Sequence, residues 1–462
     1  VAAKALRLFL NACDVESGSV KTEPTSSGAN QFTLLGQQRF APFFWTQFCG
    51  AVNDNLFKFA FTVMVTYQLS VSWLPVSLAG LVIGALFILP FLLFSATSGQ
   101  LADRYDHATL MRFVKNFEIG IMVLGAVGFF TQQVPVLLLC TFLMGLHSTL
   151  FGPVKFAYLP QALKEHELTG GNGMVEMGTF VAILLGNVAG GLLVAIPDVG
   201  YTSVAIACVA VAVLGRWSSA GIPSLTVANP ELKINWNPFT ETLHNLRLAK
   251  ANRSVFITLI GISWMWFFGA IFLSQFPSFA KEVLHGDAQV ASLLLVLFSV
   301  GIGAGSLLCE TLSRGRVEVG LSPLGAMGMT LFAVDLYVAS SHLPVAELMG
   351  INAFVTQTEH WRIMADLVLL SLFAGIYSVP MYALIQQQSH NAECARIIAA
   401  NNIINALFMI ASSLIAGAML GAGLTIPEVI FWTGVANAAV TLAVFVAEPS
   451  YLHRFSAWLR GV

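Results

Sequence analysis

What most constrains this chain is a succession of apolar runs, each long enough to cross a bilayer. A helix rises 1.5 Å per residue, so covering the hydrocarbon core takes about 20 apolar residues. Twelve runs meet that length: 41–69, 76–98, 109–131, 134–159, 169–196, 200–221, 253–280, 287–311, 318–340, 364–388, 394–421 and 426–446. Where two lie close together a turn signal divides them, as "TQQVP" does between the third and fourth. Only 10% of the 462 residues are charged and 56% are hydrophobic, whereas soluble domains carry about 25% charged residues. The sequence therefore predicts an all-α polytopic membrane protein.

The longest charged connection, containing "NPFTETLHNLRLAK", follows the sixth run. Pro238 suits a helix N-terminus, and Leu243, Leu246 and Ala249 fall at helical spacing, which predicts a short amphipathic surface helix. The chain then divides into a cytoplasmic tail (1–40), a six-helix bundle (41–221), a linker (222–252), a second six-helix bundle (253–446) and a cytoplasmic C-terminal segment (447–462). Residues 1–31 read as a flexible tail, an interfacial helix over Ala5 to Asn11, or part of a longer precursor. Lys and Arg concentrate in the termini and even-numbered connections, including Arg104, Arg112, Lys115, Lys164, Arg247, Arg314 and Arg316. The odd-numbered connections hold Lys281 and Arg362, and Lys58 lies within the first span. By the positive-inside rule both termini are cytoplasmic.

The halves repeat weakly. Trp45, Phe48, Gly50 and Ala51 match Trp264, Phe267, Gly269 and Ala270 at a constant offset. A second offset aligns Gly145 and Ser148 with Gly375 and Ser378, and Asn172 with Asn402. Two parallel halves with a site between them is the arrangement by which transporters hold a substrate near the midplane.

The first span breaks its apolar pattern with "NDNLFK", residues 53 to 58. Gln47, Gly50, Asp54 and Lys58 share one face of a helix. Asp54 lies about 12 residues into it, roughly 18 Å deep at the standard rise. In the fourth and fifth spans Lys155 and Glu176 fall at similar depth, with Pro153 expected to kink the helix just before Lys155 and with Asn172, Thr179, Ile183 and Asn187 on the face of Glu176. Ionisable groups inside a membrane cost about 2.5–3.5 kcal/mol on insertion scales and normally face the bundle interior. Two readings follow: Asp54 neutralises Lys58 and Lys155 neutralises Glu176, or the four line a polar cavity of mixed sign. The additional Asn53, Asn55, Asn172, Asn402 and Asn405 favour the cavity, because packing does not require their donors and acceptors. It would suit a zwitterionic or anionic headgroup, a lysine facing phosphate and a carboxylate facing ammonium. Gln275 could add a neutral donor, and His147 reads as hydrogen-bonded packing that could titrate.

The connection "GQLADRYDHATLMR" resembles the signature of the major facilitator superfamily, in which Gly99, Asp103 and Arg104 match the family's Gly, Asp and Arg. It departs from that pattern at Asp106, His107 and Ala108. The resemblance implies a twelve-helix major facilitator fold in which Gly99 permits close helix approach, Asp103 caps or faces a helix N-terminus and Arg104 pairs across a cytoplasmic gate. Glu310 and Arg314 stand where the second half's gate loop falls. Three further blocks, with "NDNLFK", resemble the lysophospholipid transporter branch: "FGPVKFAYLP", "GNGMVEMGT" and "ARIIAANNIINALFM". The closing "EPSYLHRFSAWL" resembles the segment that, in fused members, leads into a cytoplasmic acyltransferase and acyl-carrier-protein synthetase. This resemblance implies inward movement of lysophospholipid across a bacterial inner membrane, re-acylation by such an acyltransferase, and a monomer. An exporter or importer of another small amphiphile or drug-like solute, or a membrane anchor for an acyltransferase, are the alternatives. The chain has no G-x-x-x-x-G-K-[ST] loop and no H-x-x-x-x-D pair, so ATP hydrolysis and acyl transfer are not expected. Nor do Cys13, Cys49, Cys140, Cys208, Cys309 and Cys394 show ligand spacing, so no metal, cofactor or nucleic-acid partner is expected.

Overall fold

The computed structural model describes residues 31–69, 73, 74, 76–341, 343 and 347–460. The readings of residues 1–30 lie outside them. The described residues form twelve long helices: α1 (Ala41–Val63), α2 (Val76–Arg104), α3 (His107–Thr131), α4 (Val134–Ala162), α5 (Leu168–Val194), α6 (Gly200–Ala220), α7 (Arg253–Ser278), α8 (Ala288–Ser313), α9 (Leu321–Ser340), α10 (Thr358–Gln388), α11 (Asn391–Gly421) and α12 (Ile426–Ala447). Eleven of these are long and apolar enough to cross a membrane. The remaining one is α1, whose hydropathy is lowered by Gln47, Asn53, Asp54, Asn55 and Lys58; it packs lengthwise between α5 and α6.

Helix ends follow local chemistry. Asp106 caps α3 by accepting from Thr109 N at 2.9 Å, and Thr425 with Glu428 forms a capping box on α12. The predicted turn "TQQVP" is made by Gln132 in the left-handed region (φ 55°). Within α4, Pro153 supplies no N–H to Thr149 O, and Ser98 Oγ of α2 donates to that carbonyl at 2.8 Å instead. The helix therefore continues through the proline while being tied to its neighbour.

Packing repeats between the halves. Pairs α1–α5, α2–α4 and α3–α6 correspond to α7–α11, α8–α10 and α9–α12. The halves meet through α5 on α8 and, at the equivalent place, α2 on α11. Asn172 and Asn402 obey the same relation: Asn172 of α5 bonds Gln386 of α10, and Asn402 Nδ2 of α11 lies against Gly152 of α4.

Two expectations are corrected. Residues 31–40, read as tail, are packed: Gln31–Gly36 forms a 3-10 turn, Leu34 and Phe40 are buried, and Arg39 forks onto Glu167 at 2.6 and 2.7 Å. Lys115, read as part of a basic connection, is fully buried inside the bundle on α3. The linker helix (Pro238–Ala251) forms as expected and packs under α2, α7 and α11.

Candidate functional site

One end of the bundle, the end carrying the linker, is closed. Gly99 lets α2 meet α11 so closely that a Cβ there would stand 2.7 Å from Ala399 Cβ and 2.9 Å from Arg396 Cα. Beside it Asp103 Oδ2 accepts from Arg396 Nε at 2.8 Å and Oδ1 accepts from Ala395 N at 3.1 Å, both partners near the N-terminus of α11. The ion pair across this seam thus joins Asp103 to Arg396, whereas the Arg104 guanidinium sits 5.6 Å from the Tyr105 ring. Gln100 and Asn235 exchange two hydrogen bonds at 3.0 and 2.7 Å, clasping the linker to the same stretch of α2. On the symmetry-related seam Gln31 Nε2 donates to Leu307 O, Thr169 Oγ1 to Arg316 O, and Gln387 Nε2 to Glu165. Glu310 lies against Gly170, and Arg314 ends α8 in the left-handed region. Asp106, outside the spans, combines a partly buried position, which opposes ionisation, with hydrogen bonds from Thr109 and Leu225 N that hold it below the usual carboxylate range.

The bonds that cross between halves run inward from this seal through Asn172–Gln386 (2.6 and 3.1 Å) to Glu176–Ser378, where Oε1 accepts at 2.7 Å. Towards the opposite end the packing loosens. A Cβ at Gly80 or Gly84 of α2, or at Gly417 or Gly421 of α11, would meet nothing within 4 Å.

At the base of this opening stand the half-buried side chains of Asp54, Lys155, Glu176 and Asn402. Asp54 Oδ2 accepts from Ser148 Oγ of α4 at 2.6 Å and its Oδ1 has no protein partner. Lys58 Nζ, one turn on, lies 3.8 Å from the Phe87 ring centroid. Lys155 Nζ donates to Thr179 Oγ1 at 3.2 Å, and that oxygen is 3.2 Å from Gln47 Oε1, so α4, α5 and α1 share one polar chain. Neither intrahalf neutralisation contact, Asp54 with Lys58 or Lys155 with Glu176, occurs among the described ion pairs. Each carboxylate takes a serine hydroxyl instead. Gln47 Nε2 of one half and Asn402 Nδ2 of the other are buried without hydrogen-bond partners. Buried polar atoms are ordinarily satisfied, so unpartnered ones from both halves around a single opening are what a polar guest would complete.

Several predicted residues point elsewhere. Asn53 faces away, donating to Glu118 Oε1 at 2.8 Å. Asn55 Nδ2 bonds back to Ala51 O, and Asn405 Oδ1 accepts from Ser263 Oγ of α7 at 2.7 Å. Gln275 stands near the far end of α7, bonded only weakly to Ser274 Oγ at 3.4 Å. Sequence reasoning missed Tyr382, Trp266 and Gln386. Tyr382 stacks on Phe156 with ring centroids 4.7 Å apart and accepts from Trp266 Nε1 at 3.1 Å; Gln386 donates to Phe156 O at 3.1 Å. Gln386 and Ser378 stand eight residues apart on α10, a helical spacing that could have revealed the face.

Beside the polar base lies a small apolar pocket of about 40 Å³ whose walls include Phe180, Met265, Gly269, Phe298, Ile302 and Met409.

Twelve long helices in two equivalent halves around a central polar site make the fold of a membrane transporter. The family model for the Major Facilitator Superfamily matches residues 43–413, and the chain belongs to that superfamily. The Lysophospholipid transporter LplT of Klebsiella pneumoniae subsp. pneumoniae is 29% identical over 361 residues, covering 77% of this chain and 82% of that protein. The protein of the same name from Enterobacter sp. is 26% identical over 365 residues, with the same coverage. The fold matches the crystal structure of the Major Facilitator Superfamily transporter FucP in the outward conformation, with a TM-score of 0.65 at 12% identity, over 88% of this chain and 98% of that one.

Proposed function

We propose that this protein moves lysophospholipids, such as lysophosphatidylethanolamine, from the outer to the inner leaflet of a bacterial inner membrane for re-acylation. Both termini and the linker face the cytoplasm in this reading, and the conformation described is the one open to the opposite side. A monomer carries out the transport, and a cytoplasmic acyltransferase uses the product. The observation that carries the reading is the junction of a mixed-sign polar base with an apolar pocket at one opening. Lys155 faces the phosphate, Asp54 or Glu176 faces the ammonium, and the acyl chain enters between α5, α7 and α8. Relatives named for lysophospholipid transport support the substrate class.

A single-chain substrate distinguishes this reading from transport of a small solute. Purified protein in liposomes should accelerate inward movement of labelled lysophosphatidylethanolamine over empty liposomes and leave diacyl phosphatidylethanolamine at the background rate. Equal rates with and without protein would sink the proposal.

The pocket adds a second expected result. At Gly269 a Cβ meets nothing within 4 Å, so Gly269→Leu projects into the pocket without backbone strain. Excluding three methylenes at about 0.8 kcal/mol each should raise KM for a long-chain lysolipid at least tenfold. Glycerophosphoethanolamine, which lacks the chain, should inhibit the variant and wild type equally; a parallel loss of its inhibition would remove the acyl assignment.

A further inference from the structure

Behind the proposed site, on the side of the N-terminal half away from the opening, four polar side chains meet in complete burial. Lys115 and Glu118 are wholly inaccessible, Asn53 likewise, and His147 is 2% exposed. Glu118 is their hub. Its Oε2 accepts from Lys115 Nζ at 2.6 Å and lies 3.3 Å from His147 Nε2, while its Oε1 accepts from Asn53 Nδ2 at 2.8 Å. Room for the lysine is built into α1, where a Cβ at Gly50 would stand 2.5 Å from Nζ.

A buried ion pair is seldom the cheapest way to stabilise a bundle, since apolar residues of similar volume serve as well or better. Where the arms of this cluster land is therefore informative. Asn53 immediately precedes Asp54 on α1, and His147 immediately precedes Ser148 on α4. Asp54 and Ser148 are the pair joined at 2.6 Å at the base of the opening. One carboxylate thus hydrogen-bonds α1 through Asn53 and touches α4 at His147, in each case one residue before a member of the site pair. A misplacement of about 1 Å in a binding group is enough to lose much of its effect.

We infer that Glu118 is a positioning residue for the substrate site: through Asn53 and His147 it holds Asp54 and Ser148 in register, with Lys115 neutralising it. The inference rests on the reading of Asp54 as part of the headgroup site.

The test is a double-mutant cycle in proteoliposomes with labelled lysophosphatidylethanolamine. Lys115→Met with Glu118→Gln removes both charges together and retains side-chain volume. This pair should leave the thermal unfolding midpoint of the purified protein unchanged, raise KM about tenfold, the size of one lost hydrogen bond to a charged group, and leave kcat within about twofold. In an Asp54→Asn background the same pair should add nothing, because its effect passes through Asp54. An additive loss in that background, or an unchanged KM, overturns the positioning role while leaving the substrate reading intact. If Asp54→Asn alone transports like wild type, the site reading fails and this inference with it. Should the charge-free pair fail to reach the membrane, Asn53→Leu cuts only the arm to α1 and must show the same non-additivity with Asp54→Asn. Independent losses there equally overturn the inference.

Discussion

Replacing Asp103 by alanine shifts the protein a hundredfold or more toward the state open at its linker-bearing end. Arg396 is 6% exposed and its guanidinium spans to Asp103 at 2.8 Å. Removing one partner of a buried pair costs about 3–5 kcal/mol because the other charge stays desolvated. That cost falls on the closed state alone, since opening hydrates Arg396. Cys394, 1% exposed and two residues before Arg396, is a built-in reporter. In a background retaining only this cysteine, its maleimide labelling should accelerate about a hundredfold in Asp103→Ala. The Asp103→Ala, Arg396→Ala pair should label more slowly than the single variant, because no charge is left stranded. Labelling rates equal to wild type in both would show that the seal is held elsewhere, by the α5–α8 seam.

Lys155→Ala should lower kcat/KM for lysophosphatidylethanolamine at least a hundredfold. The ammonium sits on α4 between Thr179 and the Phe156 ring, 3.2 Å from the hydroxyl and 5.0 Å from the ring centroid. Neither neighbour neutralises it, so in the empty site its charge is balanced only at longer range. A phosphate arriving there forms a charge-assisted hydrogen bond away from bulk water. Truncating one partner of such a pair costs about 2–5 kcal/mol. Lys155→Arg, which keeps the charge and changes the reach, should retain more activity than Lys155→Ala. Identical losses would mean that Lys155 acts through packing on Phe156 and Tyr382 instead.

Helix count and the two-half arrangement were legible because the bilayer imposes one length and one satisfied backbone on every span. The span that polar residues disguised, α1, was legible as well, because Phe43, Phe44, Phe59 and Phe61 keep it apolar on either side of "NDNLFK". Partner choice was not legible. Spacing of four residues brings Asp54 and Lys58 to the same side of a helix, yet Asp54 turns to Ser148 and Lys58 to Phe87. Which neighbour wins depends on the α2 and α4 surfaces, and these come from about 30 and 90 residues away. Glu118 and Lys115 were missed for a related reason. Close to the start of α3, a basic residue reads as part of a cytoplasmic connection, and only the glycine at 50 reveals that space was reserved for it inside. Gate pairing failed similarly: Asp103 and Arg104 are adjacent, and their spacing cannot say which one reaches Arg396 across the interface.

The most direct measurement is the initial rate of inward movement of labelled lysophosphatidylethanolamine in liposomes holding wild type, Asp54→Asn or Lys155→Ala protein, beside empty liposomes. The account predicts a wild-type rate well above the empty-liposome background, Lys155→Ala reduced to near that background and Asp54→Asn reduced well below wild type but still measurable, with unchanged incorporation and unfolding midpoints. Wild-type liposomes no faster than empty ones would contradict lysophospholipid transport. Variants as fast as wild type would contradict the assignment of Asp54 and Lys155 to the headgroup site.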